Sequence, residues 1–282
     1  MSVVNIGQRI DGQYGELSPQ EQRAADFILD HLSDLAVYNA SELARLSGVS
    51  KATVSRLFRR LGFQDSAEVR EHARALRSYG SPVGGPGASA GTPSRLAAHV
   101  EAEQENLRRM LLSIEDGRLD EASRLIASAR HVLVLGLRNS YPLALHLREQ
   151  LMQSRDRVTL GPVPGQSIGE DLAELGPRDA VVLFGFRRRA AGFAQLAAAI
   201  KRRDVPLVLI ADSSARRHSD KATHWLECPI DSVSAFDSYA AAMSLVNLLA
   251  TGAMGAHVRE SRTRIAAITS AYEDLDELEV PW

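Results

Sequence analysis

Residues 40–60, ASELARLSGVSKATVSRLFRR, place the strongest constraint on what this chain can fold into. Two short segments of helical period flank Gly48, a residue type that adopts a left-handed backbone without steric cost and commonly ends helices. Ser41 is expected to cap the first helix, and Ser50 the second. The inward positions expected from the period are Leu43, Ala44, Ser47, Val49, Val54, Leu57 and Phe58. The pattern predicts two helices that cross at a steep angle, a helix-turn-helix.

The other face of the second predicted helix is basic and rich in hydroxyl groups. Its outward or flanking residues are Lys51, Ala52, Thr53, Ser55, Arg56, Arg59 and Arg60. Glu42 is the only acid in residues 40–62, so a basic patch is concentrated on a chain whose formal net charge is −2. Such side chains hold phosphates and reach base edges from a helix N-terminus. The surface predicts contact with double-stranded DNA; a helical hairpin with a solvated basic face is the alternative.

The register resembles the lac-repressor type of helix-turn-helix. The small, turn and core positions of that type are occupied here by Ala44, Gly48, Val49, Val54 and Leu57. The resemblance implies that Lys51, Ala52 and Arg56 face bases. It also implies that the side chains nearer the DNA backbone are Ser50, Thr53, Ser55 and Arg59.

The segments around this motif resemble one family of regulators. In LSPQEQRAADFIL, Ser18 is expected to cap a helix, Pro19 to occupy its first turn and Glu21 to complete a capping box. Together with ELARLSGVSKATVSRLFRRLGF, this segment resembles the N-terminal domain of RpiR-family transcriptional regulators. The resemblance covers the first quarter of the chain and implies a DNA-binding regulator.

A change in composition separates the two parts of the chain. Residues 78–94, SYGSPVGGPGASAGTPS, are dominated by Gly, Pro and Ser and predict a flexible linker. A phosphate-binding glycine loop is the alternative, but no Walker-type Lys-Ser/Thr pair follows and no predicted strand precedes it. The expected domains are a helix-turn-helix domain at 1–77, this linker, and an effector-sensing and oligomerisation domain at 95–282.

The second part of the chain alternates short apolar runs with segments of helical period. Strands are expected at 131–136, 158–160, 180–184, 206–210 and 225–228, and helices at 142–152, 190–202, 235–249 and 258–278. This alternation predicts a doubly wound, mainly parallel five-stranded sheet. The expected fold class is therefore an all-α N-terminal domain followed by an α/β domain.

Two loops of the predicted sheet carry side chains suited to an anion. Arg138, Asn139 and Ser140 follow the first strand, and Gly185, Arg187 and Arg188 follow the strand at 180–184. The carboxyl ends of parallel strands meet at one edge, where ligands bind. Arginines clamp oxyanions in bidentate fashion. The loops predict a site for a small anionic metabolite; a solvated helix start or an acidic surface of another subunit is the alternative for the arginines.

This part of the chain also resembles the sugar isomerase (SIS) domain that RpiR-type regulators carry as a sensor. VLVLGLRNSYPLA matches that family's glycine-then-serine loop, which implies that Ser140 lies at a ligand-binding position. DAVVLFGF falls where the family usually has a Ser-x-Ser-Gly-x-Thr phosphate loop, here replaced by phenylalanine, glycine and arginine. This departure favours an effector other than a phosphosugar, such as a carboxylate, or a site no longer used for a ligand.

Composition limits the class of protein to which the chain can belong. The hydrophobic share of 45% and the charged share of 24% are typical of a globular protein. No apolar run approaches the ~18 to 20 residues of a membrane span, and the N-terminus lacks a signal peptide's pattern, so a cytoplasmic protein without membrane contact is expected. The single cysteine, Cys228, excludes an intrachain disulfide and is expected to be buried and inert. No spacing typical of a metal site occurs, so neither a metal nor a cofactor is expected.

These observations predict a sequence-specific, DNA-binding transcriptional regulator without catalytic residues. One recognition helix reads few base pairs, so a homo-oligomer, dimer or tetramer, on paired half-sites is expected. Two alternatives stay open at this point. One is a SIS-type sugar-phosphate isomerase with a fused helical domain, and the other is a helical protein-interaction module on a structural α/β domain.

Overall fold

A computed structural model of the chain describes residues 6–31, 35, 38–78, 92–234 and 236–278. The chain divides into two compact units, residues 1–103 with 231–238 and residues 104–230 with 239–282. Most of the expected linker, residues 79–91, lies outside the described residues. A helix begins at Thr92, inside the expected linker. The predicted domain boundaries therefore stay a prediction.

The N-terminal unit begins with a cluster of short helices. Their bounds are α1 (Ile6–Gln13), α2 (Pro19–Asp30), α3 (Ala40–Leu46), α4 (Lys51–Arg60) and α5 (Ser66–Ser78). Helices α3 and α4 form the predicted helix-turn-helix, and Gly48 between them has a φ of +67°, in the left-handed region that glycine tolerates. The predicted inward residues are confirmed, since Leu43, Ala44, Ser47, Val54, Leu57 and Phe58 are buried and Val49 is half-buried.

The cap of α3 differs from the one expected. Asn39, not Ser41, caps this helix: Asn39 Oδ1 accepts hydrogen bonds from the amides of Ser41 and Glu42 at 2.9 and 3.0 Å. Glu42 Oε2 in turn accepts from the Asn39 amide at 2.9 Å. This reciprocal box satisfies more of the free amides than one serine hydroxyl would, so the helix begins one residue before Ser41.

The other two predicted caps are confirmed. Ser50 Oγ accepts from the Thr53 amide at 3.1 Å, at the start of α4. Ser18 and Glu21 form the expected capping box at α2, with Pro19 in the first turn. Hydrogen bonds from Ser18 hold the pKa of the Glu21 carboxyl below its usual value.

The second unit is built on a five-stranded sheet in the order β2-β1-β3-β4-β5 with every neighbouring pair parallel. The strands are β1 (Val132–Gly136), β2 (Val158–Gly161), β3 (Ala180–Phe184), β4 (Leu207–Ala211) and β5 (His224–Glu227). Strands β1, β3 and β4 are buried along their whole length, and apolar clusters cover both faces of the sheet. The predicted doubly wound α/β fold is confirmed.

Helices surround this sheet. They are α6 (Thr92–Ile114), α7 (Arg118–Ser128), α8 (Tyr141–Ser154), α9 (Ile168–Ala173), α10 (Phe193–Arg202), α11 (Ala240–Ala256) and α12 (Val258–Leu275). Helix α10 begins three residues later than expected and α11 five residues later. Gly192 caps α10, and the residues before it form bends instead of a first turn. The six-residue α9 is too short for its period to stand out in the sequence.

Helix α11 is apolar because it is a core helix. Its residues Ala241, Leu245 and Leu249 are fully buried in the cluster that covers one face of the sheet. Within the described residues, no single helix is long and apolar enough to cross a membrane. Helices α11 and α12 satisfy that criterion only as a pair, which is bent by 107°.

The capping box of α3 makes a prediction about stability. Asn39→Ala removes the acceptor of two amide hydrogen bonds and should cost about 0.5 to 2 kcal/mol. Ser41→Ala, one residue further along, is the matched control and should change stability by less than about 0.5 kcal/mol. Hydrogen exchange of the α3 amides in the full chain measures both effects. Equal effects of the two substitutions would contradict the assignment of Asn39 as the cap.

Candidate nucleic-acid interface and ligand site

The outward face of α4 is basic. Lys51, Ala52, Arg56 and Arg59 are exposed, Ser50 is exposed at the cap and Ser55 is half-buried. The opposite face of α4 is anchored by the fully buried side chains of Val54, Leu57 and Phe58, so the orientation of the basic face is fixed. Arg56 Nη2 lies 3.4 Å from Thr53 Oγ1, which leaves most of its guanidinium hydrogens directed to solvent or a ligand.

Two of the predicted DNA-binding residues are engaged inside the domain. Thr53 is 4% exposed, and its Oγ1 lies 2.9 Å from Ser50 Oγ, so the expectation that it faces outward is wrong. Its position at the boundary of the apolar face explains the burial. Arg60 is exposed, but it donates to the carbonyl of Glu16 and lies 3.7 Å from Glu21 Oε2. Arg60 therefore links α4 to the start of α2.

The second candidate site lies at the carboxyl edge of the sheet. After β1 the chain passes to β2 on one side, and it then returns to β3 on the other side of β1. Gly136 and Phe184 are register partners, so the loops that follow β1 and β3 start side by side. This switch point is where ligands bind in open α/β sheets. The six predicted ligand residues are thus carried by two neighbouring loops.

The loop after β1 folds tightly back on its strand. A Cβ at Gly136 would lie 2.4 Å from the Ser140 carbonyl oxygen and 2.8 Å from Ala144 Cβ, so only glycine fits there. This contact buries Ser140, whereas Arg138 and Asn139 are exposed. Ser140 is therefore available to a ligand only from inside the crevice.

The loop after β3 is filled by aromatic rings. A Cβ at Gly185 would lie 2.3 Å from the ring of Phe193, which packs directly on this glycine. Phe186 is also buried, and its ring meets that of Tyr239 edge-on with centroids 5.5 Å apart. Gly185 thus has a packing role that explains its presence without a ligand.

The three arginines of this loop have different surroundings. Arg189 donates to the Gly185 carbonyl at 2.8 Å and to Ser214 Oγ at 3.0 Å, and it pairs with Asp212 at 3.4 Å. Burial lowers the pKa of the Arg189 guanidinium, and Asp212 opposes this shift. Arg187 is half-buried and donates to the Ile230 carbonyl at 3.4 Å, while Arg188 is exposed. Arg188 is thus the most accessible of the three.

The structure bears on the two alternatives for the arginines. They lie further from a helix start than expected, because α10 begins at Phe193 and not at residue 190. An internal carboxylate, Asp212, compensates Arg189, so an acidic surface of another subunit is not needed for it. Asp212 also caps the 3-10 segment Ser213–Lys221 through the Ser214 amide at 3.2 Å. The contacts of Asp212 and Ser214 with Arg189 were not predicted from the sequence.

Both loops carry an arginine in the left-handed region of φ. Arg138 has a φ of 56° and Arg188 a φ of 61°. This conformation costs a non-glycine residue about 1 to 2 kcal/mol. Strain of this kind is concentrated at functional sites, so both positions favour a ligand site at the switch point.

Two remaining candidates for reactivity, the Cys228 thiol and a metal site, are not supported among the described residues. Burial raises the pKa of the Cys228 thiol to about 12, which confirms the prediction of a buried thiol unsuited to nucleophilic attack. Among the described residues, no group of three or more His, Cys, Asp and Glu side chains is placed to hold a metal ion.

Comparisons with known proteins follow the same division of the chain. Residues 4–72 match the family described as "Helix-turn-helix domain, rpiR family", and residues 125–252 match the SIS domain. The chain thus carries an rpiR-family helix-turn-helix domain at its N-terminal end and a SIS domain after it. An HTH-type transcriptional regulator from Providencia stuartii, described as uncharacterized, is 23% identical over 171 residues, which are 57% of this chain and 58% of that protein. The match therefore spans little more than half of the relative's length.

Two solved structures are similar to this chain in fold. The sugar isomerase domain of an RpiR transcription factor from Sphaerobacter thermophilus is 23% identical, with a TM-score of 0.58, over 62% of this chain and 98% of that one. NanR from Vibrio vulnificus, in complex with ManNAc-6P, is 16% identical, with a TM-score of 0.55, over 96% of this chain and 99% of that one. At these identities the similarity concerns the fold alone.

A histidine in the second unit, His218, makes the stability of the chain depend on pH. Burial, and secondarily the charge of Arg217, lower the pKa of His218, whose Nε2 lies 3.3 Å from the donor Arg217 Nε. The folded state thus binds fewer protons than the unfolded state. The stability that the neutral ring contributes is present above the unfolded pKa of about 6.5 and is lost as the pH falls through the folded pKa.

We expect His218→Gln to reduce the loss of stability between about pH 7.5 and about pH 5.5, because glutamine keeps an acceptor but does not titrate. His146→Gln, at an exposed position of α8, is the control and should leave the pH dependence unchanged. Urea unfolding followed by tryptophan fluorescence measures the effect, since Trp225 lies in β5. The same pH dependence in wild type and His218→Gln would contradict the assignment.

Proposed function

We propose that this chain is a transcriptional regulator that binds DNA through α4 and a small anionic metabolite through its SIS domain. The observation that carries the proposal is the exposed basic face of α4, fixed by a buried apolar face in a capped helix-turn-helix. The match of residues 4–72 to the helix-turn-helix domain of the rpiR family supports it. Lys51, Ala52 and Arg56 are proposed to reach base edges, and Ser50, Ser55 and Arg59 to contact phosphates. Thr53 is left out because it is buried.

The regulator is proposed to act as a homo-oligomer. One recognition helix contacts too few base pairs for useful specificity, so paired helices on half-sites about 34 Å apart, or a multiple of that distance, are required. An effector that favours one arrangement of the paired domains would change the affinity for such an operator, and the coupling free energy sets the size of the change.

The effector is proposed to be recognised by arginine side chains at the switch point. Phe186 and Phe193 are buried at the loop after β3, so polar recognition is assigned to Arg138, Asn139, Ser140, Arg187 and Arg188. A guanidinium binds either a phosphate or a carboxylate in bidentate fashion. NanR is bound to a sugar phosphate in its solved structure. The loop after β3 has phenylalanine and arginine in place of the serine and threonine of the usual phosphate loop, which favours a carboxylate here. Phosphosugars are the alternative, and the experiment below distinguishes the two.

Binding without turnover is proposed for this site. Isomerisation of a sugar phosphate needs a general base and a general acid, usually a carboxylate or a histidine. The six predicted ligand residues include neither of these side-chain types. An assay of the purified chain with sugar phosphates tests this point, and measurable turnover would support the isomerase alternative.

The experiment that tests the whole proposal is footprinting on the DNA that flanks the chain's own gene. A regulator should protect two half-sites, and the protection should survive moderate salt because base contacts add to the charge attraction. Diffuse protection that disappears with salt would contradict specific binding at that DNA. Sugar phosphates and carboxylates can then be screened for release of the same footprint.

Two arginines of α4 should have separable effects. Arg56→Ala should weaken binding to the protected DNA by about 1 to 3 kcal/mol and relax the preference at one base pair, if Arg56 binds a guanine. Arg59→Ala should weaken binding to all sequences alike and reduce the slope of log affinity against log salt by about one. Fluorescence anisotropy with specific and random DNA measures both. Equal losses from both variants on both kinds of DNA would contradict these roles.

Arg188, whose backbone has a positive φ, should have opposite effects on stability and on the effector response. Arg188→Gly relieves the unfavourable φ and should stabilise the chain by up to about 1 kcal/mol, while it weakens the response to the effector found in the screen. Asp204→Gly is the matched control, since Asp204 has a φ of 53° but lies in the turn after α10. The control should stabilise the chain without changing the response. Retained response in Arg188→Gly would exclude this side chain from the site.

A further inference from the structure

A cavity of about 910 Å³ opens at the edge of the sheet opposite the switch point. Its walls are the ends of α7 and α8, the residues that lead into β1 and β2, and the first half of α12. Its volume is in the range of pockets that hold small metabolites, which is roughly 300 to 1,000 Å³. All of these elements belong to one compact unit of the chain.

Arginines dominate the charge of this cavity. Its lining includes Arg130, Arg155, Arg157 and Arg264. The carboxylates in the lining are Asp156 and Glu260. Arg130 is neutralised by Asp179, with two hydrogen bonds of 2.8 Å. Arg157 lies 3.9 Å from Asp156, a weak pair whose arginine is 65% exposed.

Arg155 has only backbone oxygens as partners. It donates to the carbonyls of Ile126, Ala129 and Asp156, the last two at 2.7 and 3.0 Å. Among the described residues, no carboxylate lies within 4.0 Å of its guanidinium. Burial lowers the pKa of Arg155, and the charge of Asp156 opposes this shift, while the guanidinium stays charged at neutral pH. Its positive charge is therefore held in the wall of the cavity without a directly paired carboxylate among the described residues.

Arg264 also has donors that the described residues do not use. Its Nε donates to the Met152 carbonyl at 2.7 Å, which helps to satisfy the C-terminal end of α8. This is its single hydrogen bond to the described residues, so four of the five guanidinium N–H groups are available. A capping role for α8 accounts for one donor and leaves the others without explanation.

We propose that this cavity is a second ligand site, which binds a small polyvalent oxyanion through Arg155, Arg157 and Arg264. The ligand carries phosphate or carboxylate groups, because their paired oxygens match the fork of a guanidinium. The hydroxyls of Ser261 and Thr263, whose hydrogens are donated to backbone carbonyls, face the same cavity as acceptors for ligand hydroxyls. This site is separate from the loops that follow β1 and β3, and it does not depend on the function proposed for them.

Isothermal titration calorimetry of the full chain tests the proposal, with inorganic pyrophosphate and citrate as probes at constant ionic strength. The two probes distinguish a phosphate site from a carboxylate site. At least one probe should bind once per chain with a Kd below about 1 mM. Arg264→Gln should weaken this binding about tenfold, the loss of roughly one charge-assisted hydrogen bond. If Arg264→Gln does not fold, Arg157→Gln is tested in its place, because the Arg157 side chain is mostly exposed. This variant should weaken binding of the probe several-fold.

A control variant locates the binding. Arg202→Gln removes an exposed charge at the end of α10, outside the cavity. This variant should bind the probe within about twofold of wild type. The proposal is overturned if neither probe binds or if Arg202→Gln weakens binding as much as Arg264→Gln. A loss of binding in Arg188→Gln that Arg264→Gln does not share would place the probe at the switch point and would also overturn the proposal.

Discussion

The parallel alignment of five strands is the constraint on which the second unit depends. Strands β1, β3 and β4 are buried on both faces, so the sheet meets solvent and ligands only at its edges. Because every strand runs in the same direction, one edge collects the carboxyl ends and the other the amino ends. The two edges therefore differ in chemistry. The switch-point loops lie at the first edge, and the arginine-lined cavity lies at the second.

At the carboxyl edge, packing decides which polar side chains are left for a ligand. The ring of Phe193 occupies the space over Gly185, and Arg189 is bound to Asp212 and Ser214. These contacts fix the loop after β3 and withdraw one arginine from the site. Arg188 remains exposed, as does Arg138 in the neighbouring loop. The loop after β3 thus offers arginine side chains to a ligand, but not the serine and threonine hydroxyls that the phosphate loop of SIS domains usually has.

The sequence predicted periodic features well and boundary features poorly. The 3.6-residue period identified the helix-turn-helix, its buried face and the parallel strands, because burial repeats along the chain. It could not assign Thr53, which lies where the two faces of α4 meet, or the cap Asn39, which competes with Ser41. Pairs such as Arg189 and Asp212 are 23 residues apart, and only the parallel order of β3 and β4 brings them together.

The chemistry of the amino edge follows from the same topology. In a doubly wound sheet the helices run opposite to the strands, so the C-terminal ends of α7 and α8 lie at this edge, each with a partial negative charge. Arg155 and Arg264 satisfy carbonyls there, and this explains why arginines occur at the edge. Capping requires only a few of their hydrogens, however, and a half-buried guanidinium whose hydrogen-bond partners are neutral keeps its full charge. Arg155 and Arg264 therefore have more positive charge and more N–H donors than the carbonyls at the ends of α7 and α8 require. This excess is the physical basis for a second anion site.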